Sequence, residues 1–213
     1  MPKAHTHRPV PGAENTEWEK SFADILIQSF SRAAKSFSEL LMQDMELSDC
    51  RIELMTGEQF IDRIAENMEE GYFASIIRLP EELNTVILFL LSEEEGRRLY
   101  RSLDLASDGG MTGSLEDMVE SVGELNNILG NNFVNSLANT LNLSIHGSVP
   151  RNTLDLLGAI LQSVILQNEF TDKHIFCAEA EISDRKSTAL QVRLIILSDK
   201  TKMMKAIRRS EEP

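Results

Sequence analysis

Four polar side chains lie on one side of a long predicted helix between residues 114 and 143. With each residue turning the helix by about 100°, the side opposite an apolar stripe holds Glu120, Glu124, Asn127 and Asn131. Glu124 and Asn127 are three residues apart, so their side chains are neighbours. A carboxylate can form an ion pair, and an amide carries both a donor and an acceptor with which to hold water. A Glu/Asn face alone is more often plain solvated surface, although a surface chosen for helicity would rarely carry so many asparagines.

The opposite side of this helix is apolar and is predicted to face the core. Its stripe consists of Leu115, Met118, Val122, Leu125, Leu129 and Phe133. The sequence contains no H-x-x-x-H pair, no Cys/His cluster, no G-x-S-x-G elbow, no Walker loop and no dinucleotide fingerprint. We therefore expect no metal site and no cofactor of the chain's own.

Composition narrows the partners and the compartment. The 213 residues are 42% apolar and carry a formal charge of −13, which argues against nucleic acid or an anionic membrane as the main partner. The one concentrated basic segment, 200–209, is predicted to be the exposed face of a terminal helix. Two cysteines far apart fit a reducing cytoplasm, and the longest apolar run, Val86–Leu91, is too short to span a bilayer. We expect a cytoplasmic protein that does not insert into membranes.

The predicted elements recur in the same order along the chain. They are helix 17–47, strand 51–55, helix 59–65, hairpin 72–79/85–92 and helix 93–103, then helix 114–143, strand 144–150, helix 152–167, hairpin 173–182/189–197 and helix 199–209. Asn152 is the expected N-cap of its helix. Residues 1–16 are expected to be a disordered lead and 106–110 a linker. The remaining chain, 17–213, is predicted to be one domain of two half-repeats, about 17–105 and 112–210.

Local matches support a duplication. Val86–Ser92 aligns with Val192–Ser198, and hairpins imply antiparallel pairing. We predict an α/β (α+β) fold in which two pseudo-symmetric halves share a largely antiparallel sheet flanked by long helices. The two long helices align with an offset of 100 residues, which places Asp24 opposite Glu124 and Ile27 opposite Asn127. Isoleucine cannot hold water, so only the second half keeps a chemically useful polar pair.

The segment 124–137, ELNNILGNNFVNSL, resembles the signature helix of the CheC/CheX/FliY phosphatases of bacterial and archaeal chemotaxis. That family's pattern is Asp or Ser, three residues, Glu, two residues, Asn, and then Pro a little over twenty residues on. Glu124 and Asn127 match, and Pro150 falls at the expected distance, whereas Glu120 stands where the family has Asp or Ser. The resemblance covers most of the chain and implies a CheC-like fold.

The resemblance also implies a reaction, the hydrolysis of the aspartyl phosphate of a CheY-like response regulator. The regulator would supply Mg²⁺ and a lysine, Asn127 would hold the attacking water, and Glu124 would pair with that lysine. Glu120 and Asn131 would contact the regulator, and Pro150 would fix the approach to the following helix. Glu120 could pair with a basic residue of the regulator, or could slow the reaction by bringing a second negative charge to the phosphoryl group.

Two other functions fit the same resemblance. The chain could be a non-catalytic CheC-like module that binds the regulator or, through the helix predicted at 152–167, a CheD-type deamidase. It could also be a flagellar-switch component, but FliY-like proteins carry a further C-terminal domain and this sequence ends directly after the last predicted helix. We expect the phosphatase.

Overall fold

The computed structural model describes residues 17–64, 68–104, 114–168, 170, 173–185 and 190–211. The elements of the first half are α1 (Glu17–Leu41), β1 (Met45–Thr56), α2 (Gly57–Ile64), β2 (Gly71–Arg78), β3 (Thr85–Ser92) and α3 (Glu93–Asp104). Those of the second half are α4 (Leu115–Thr140), β4 (Arg151–Leu156), α5 (Leu157–Gln167), β5 (His174–Asp184), β6 (Gln191–Asp199) and α6 (Lys200–Glu211). The order of helices and strands is thus the same in both. The predicted lead 1–16 and linker 106–110 lie outside the described residues.

All six strands form one antiparallel sheet in the order β1-β5-β6-β3-β2-β4. The predicted antiparallel α/β architecture is therefore confirmed. The central strands β3 and β6 pair from Thr85↔Ser198 to Leu90↔Arg193. Each edge strand pairs with a strand of the other half, β1 with β5 and β4 with β2. Neither half completes a sheet of its own.

Helices cover both faces of the sheet. Ile87, Phe89 and Leu91 of β3 belong to a core shared with α1, α4, α3 and α6. The alternate residues Val86, Leu88 and Leu90 belong to a second core with α2 and α5. Burial on both faces explains why β3 is one continuous apolar run. No helix in the described part of the chain is long and apolar enough to cross a bilayer.

Two boundaries differ from the sequence-based prediction near Pro150. The strand predicted at 144–150 is wrong, because β4 begins at Arg151, which pairs with Ile76. Proline has no N–H for a ladder and is found at strand starts and edges. The predicted N-cap, Asn152, lies inside β4 opposite Ser75, and α5 begins only at Leu157.

The first helix is also shorter than predicted. It ends at Leu41 rather than near 47, and Met42 takes a left-handed backbone conformation with φ 53°. The residues predicted as its last turn instead begin β1, where Met45 pairs with Asp184. Pairing with a distant strand therefore outweighs the local helical preference of these residues.

Candidate functional site

The helix that carries the predicted site is fixed at both ends. At its start the Ser114 N–H donates to Asp117 Oδ2 over 2.6 Å, and the Asp117 N–H donates to Ser114 Oγ over 3.2 Å. This is a capping box, which satisfies two amide donors that a helix start otherwise leaves unpaired. At its end Asn142 takes φ 49°, and the Leu143 N–H donates back to the Ala138 carbonyl over 3.0 Å.

The apolar face of α4 packs against the sheet largely as predicted. Val122, Leu125, Leu129 and Phe133 are buried, and Met118 is half-buried. Leu115 does not face the core as predicted, because it is 49% exposed. The whole first turn, residues 115–117, is exposed, so the helix meets the core only from its second turn.

The predicted site residues of α4 lie on its outer side, with one difference. Glu120, Glu124 and Asn131 are exposed. Asn127 is only half-buried rather than fully on the surface. Its Oδ1 atom is buried and has no hydrogen-bond partner among the described residues. Ile128 beside it is 49% exposed, so the surface around the amide is partly apolar.

Gly123 brings α4 into close contact with β4 at the turn that carries the site. A Cβ atom on Gly123 would lie 2.2 Å from Nδ2 of Asn152 and 2.5 Å from its Cγ. The Asn152 side chain therefore packs directly on the helix backbone, one turn before Asn127. The side-chain oxygens of Asn152 and Asn126 are also buried and lack a partner in the described part of the chain.

Sequence reasoning missed Gly123 and Asn152. A glycine inside a helix costs about 1 kcal/mol relative to alanine, so Gly123 was a detectable sign of close packing. Asn152 carried no such sign, because its residue type fits an N-cap equally well.

Pro150 lies just before β4 and is half-buried. Asn152, two residues later, is the residue of this segment that packs on α4. Before it, the Ser148 N–H donates to the Arg78 carbonyl over 2.8 Å. The chain thus remains attached to β2 although the ladder starts only at Arg151.

The acidic groups of the site are available to a partner. Neither Glu120 nor Glu124 forms an ion pair with any described residue. Exposed carboxylates without a partner can bind a cationic group on another protein. No group of three or more His, Cys, Asp and Glu side chains that could hold a metal ion is found among the described residues.

Both cysteines are buried, and burial favours their protonated form. Burial, reinforced by the Asp49 charge, raises the pKa of the Cys50 thiol to about 12. Burial likewise raises the pKa of Cys177, and Glu179 adds to this effect. The thiolate is the nucleophilic form, so these buried thiols are poorly suited to attack a substrate.

The first half presents the same helix position without the amide. The Gln43 N–H donates to the Ser38 carbonyl over 3.3 Å, as Leu143 does to Ala138, which gives an offset of 100 at the helix ends. With this offset the burial of residues 21–30 matches that of 121–130 except at Ile25, which is half-buried where Leu125 is buried. Ile27 therefore occupies the position of Asn127.

Comparison with known proteins points to one fold family. No family model matches the chain. In sequence it is 21% identical to the CheY-P phosphatase CheC of Bacillus subtilis over 170 residues, which cover 78% of this chain and 81% of that protein. In structure it is similar to Thermotoga maritima FliY, with a TM-score of 0.66 and 13% identity over 93% of this chain and 100% of that one. The chain has the CheC/CheX/FliY fold.

Two further solved structures share this CheC-like fold. The FliM middle domain of H. pylori has a TM-score of 0.58 at 9% identity and covers 91% of this chain and 98% of that one. The structure of the CheX-CheY-BeF3-Mg+2 complex of Borrelia burgdorferi has a TM-score of 0.51 at 12% identity, covering 84% and 99%. The resemblance predicted from the α4 sequence is confirmed.

Proposed function

We propose that this CheC-like chain hydrolyses the aspartyl phosphate of a CheY-like response regulator through the outer face of α4. One observation supports this most directly. An acid without an ion-pair partner, Glu124, lies one turn from an amide, Asn127, whose oxygen has no hydrogen-bond partner among the described residues. The pair belongs to a chain related in sequence to a CheY-P phosphatase.

The proposed reaction is an in-line attack of water on phosphorus. The water oxygen forms the new P–O bond, the bond to the regulator's aspartate oxygen breaks, and free carboxylate and inorganic phosphate result. The amide of Asn127 orients the water through its donor and acceptor groups. Such reactions depend mainly on positioning and on stabilising the phosphoryl charge. Mg²⁺ bound by the regulator would neutralise that charge.

Glu124 has a different role. A carboxylate would repel an anionic phosphoryl group, so it does not attack phosphorus. Its exposure and lack of an ion-pair partner suit it to bind the regulator's active-site lysine. That ion pair would set the position of the regulator on α4, and hence the distance from Asn127 to phosphorus.

The remaining predicted residues contribute to binding of the regulator. Glu120, one turn before Glu124, binds a basic group of the regulator, and Asn131, one turn after Asn127, adds a polar contact. Pro150 ends the segment before β4, so that Asn152 packs on Gly123 behind the site. Glu120→Asp introduces the shorter acid found in the family. If Glu120 instead hinders the reaction by repulsion, Glu120→Gln should accelerate it.

The test is the rate at which a phosphorylated CheY-like regulator loses its phosphate in the presence of the chain. Asn127→Ala should reduce the acceleration by about a hundredfold, the effect of removing a positioned hydrogen-bonding group. Glu124→Ala should mainly raise KM. Asn139→Ala, an exposed change on the same helix, should leave the rate unchanged. A rate for Asn127→Ala equal to that of the unaltered chain would exclude the proposed mechanism.

The same fold could serve binding alone, because fold does not determine function. Binding is measured separately with a regulator activated by BeF3⁻ and Mg²⁺, which imitates the phosphorylated state. A chain that binds this regulator but does not accelerate phosphate loss from several regulators is a binding module. Titration of each regulator in both assays therefore separates the two functions.

The surface of helix α5 favours a second interaction, with another protein. Its eleven residues, Leu157–Gln167, contain no charged side chain, although 26% of the chain is charged. Leu166 is 79% exposed and Leu156, at the helix start, is 49% exposed. An exposed apolar face of this kind suits a protein partner, and we assign it to a CheD-type deamidase.

This assignment has its own test. Leu166→Asp should abolish binding to a CheD-type deamidase without changing dephosphorylation, since α5 lies on the sheet face opposite α4. Met42→Asp is the matched control, because Met42 is 92% exposed and follows α1. Equal loss of binding in both variants would contradict a site on α5.

A further inference from the structure

A pocket of about 430 Å³ lies where α6 meets the β2–β3 turn and the segment between α4 and β4. Its cationic lining is Lys202, Lys205 and Arg209, all on α6, and its acidic lining is Glu82. The buried side chains of Leu83, Ile145 and Ala206 form the floor. None of the proposed phosphatase residues lines this pocket.

The positive charge of the pocket is unusual in a chain with a formal charge of −13. The three cations stand at i, i+3 and i+7 and so follow one side of α6 over about 10 Å. None of them forms an ion pair with a described residue. Glu82 is the only acid among the described residues that line the pocket, so two positive charges remain unbalanced there.

The helix dipole does not account for this arrangement. A cation in the last turn of a helix is favourable, which explains Arg209. A cation in the first turn is unfavourable, and Lys202 lies in the first turn of α6. Lys202 and Lys205 are also like charges on the same side of the helix. Their common position on the pocket rim is explained by an anion that binds between them.

The size and floor of the pocket define the ligand further. Small-molecule sites have volumes of about 300–1,000 Å³ and combine apolar walls with a few polar groups. We propose that this pocket binds a compact organic anion with two or more negative charges and an apolar or aromatic body. The anionic groups contact the cations of α6, and the apolar body covers Leu83, Ile145 and Ala206.

The probe for this site is trinitrophenyl-ATP, which combines phosphates with an aromatic group and reports binding by fluorescence. The intact chain should give saturable enhancement without added metal. Lys202→Glu combined with Lys205→Glu should weaken binding at least tenfold. The control pair Lys20→Glu and Lys35→Glu changes the net charge equally at exposed positions of α1 and should have little effect. Equal weakening by both pairs, or no saturable binding, would overturn the proposal.

Two further measurements keep the proposal testable if the double variant unfolds. Lys205→Gln changes one exposed side chain and should weaken binding about threefold or more with an unchanged circular dichroism spectrum. Pyrophosphate, which has the charge without the apolar body, should displace the probe at least tenfold less well than ATP. Equal displacement by the two would refute a role for the apolar floor, and unchanged binding in Lys205→Gln would refute a role for the cations.

Discussion

Replacing Asn127 by alanine should raise the stability of the fold while it removes the proposed reaction. Asn127 is half-buried, and its Oδ1 atom is buried without a hydrogen-bond partner among the described residues. Buried polar groups are usually hydrogen-bonded. Asn126 and Asn152 also have unpaired oxygens among the described residues, but Asn126 is buried, whereas Asn127 is partly exposed on the face that carries Glu124. A group kept for catalysis can remain unsatisfied, because its partner arrives with the substrate.

Two contributions set the expected size of the change. Alanine is a better helix former than asparagine by about 0.6 kcal/mol. Removing a desolvated acceptor relieves a further cost of about 1–3 kcal/mol, which the lost packing of the amide offsets by about 1–2 kcal/mol. The free energy of unfolding should therefore rise by about 1 kcal/mol, equivalent to about 2–4 °C in melting temperature for a chain of this size.

Urea unfolding of three variants separates these contributions. Asn139→Ala, at an exposed position, should show the helix-propensity gain alone. Asn126→Ala should give a smaller gain than Asn127→Ala or a loss, because Asn126 is 1% exposed and its truncation leaves a larger cavity. If Asn127→Ala lowers the free energy of unfolding by more than about 1 kcal/mol, the amide is a structural group and the inference from its unpaired oxygen is wrong.

Three further predictions concern the core. A Cβ on Gly130 would lie 2.2 Å from Ile77 Cδ1, so Gly130→Ala should lower the free energy of unfolding by about 1–3 kcal/mol. Ile77→Val removes that atom and should relieve part of the loss. Strictly additive effects in the double variant would contradict the contact. Burial raises the pKa of the Cys50 thiol from about 9 in the unfolded chain to about 12 in the folded chain. The free energy of unfolding should therefore fall as the pH rises above about 9. Urea titrations at several pH values should show a flatter fall for Cys50→Ala. Arg63 Nη2 lies 2.6 Å from Glu179 Oε1, so Arg63→Met should lower stability by about 1–3 kcal/mol. A smaller loss in the background of Glu179→Gln would confirm that the ion pair contributes, and an equal loss would contradict it.

The repeated order of elements could be predicted from the sequence because each element has its own periodic pattern. Long amphipathic helices such as α4 and the apolar β3 bury particular faces, and that periodicity is local. The choice of partner for each edge strand is not local. β1 pairs with β5 and β4 with β2, and no pattern within β1 distinguishes β5 from β2.

The region around Pro150 shows how pairing can override local preference. Asn152 before an apolar segment has the residue type of a helix N-cap, and it lies instead in a strand opposite Ser75. Hydrogen bonds to β2 stabilise the extended conformation over residues 151–156. The helix begins only at Leu157.

The position of the candidate site on α4 was predictable, but the burial of Asn127 was not. A helical wheel gives the direction of a side chain relative to one packing face. α4 contacts helices α1 and α3 as well as strands β2, β3 and β4, and β4 approaches it most closely where Gly123 meets Asn152. Contacts on several sides widen the buried side of the helix, which includes Asn126 and part of Asn127.

The contact between Gly123 and Asn152 also affects whether the first half could regain a site. At the offset of 100, Ala23 replaces Gly123, Ile27 replaces Asn127 and Cys50 replaces Pro150. Ala23 is buried with its side chain in place, so α1 leaves room for a Cβ atom where α4 has none. Cys50 lies within the longer strand β1 and pairs with Ala180, so β1 continues where the second half has its proline.

Ile27→Asn would therefore place an amide on α1 without the close strand contact that lies behind Asn127. In a chain that also carries Asn127→Ala, we expect this change to restore less than about a tenth of the rate of phosphate loss, because misplacement by about 1 Å can cost a hundredfold. The doubly altered chain is compared with Asn127→Ala alone, at equal concentrations of regulator. A rate close to that of the unaltered chain would show that the Glu/Asp–Asn pair on a helix is sufficient. The packing of Asn152 on Gly123 would then be a structural feature of the second half and not part of its active site.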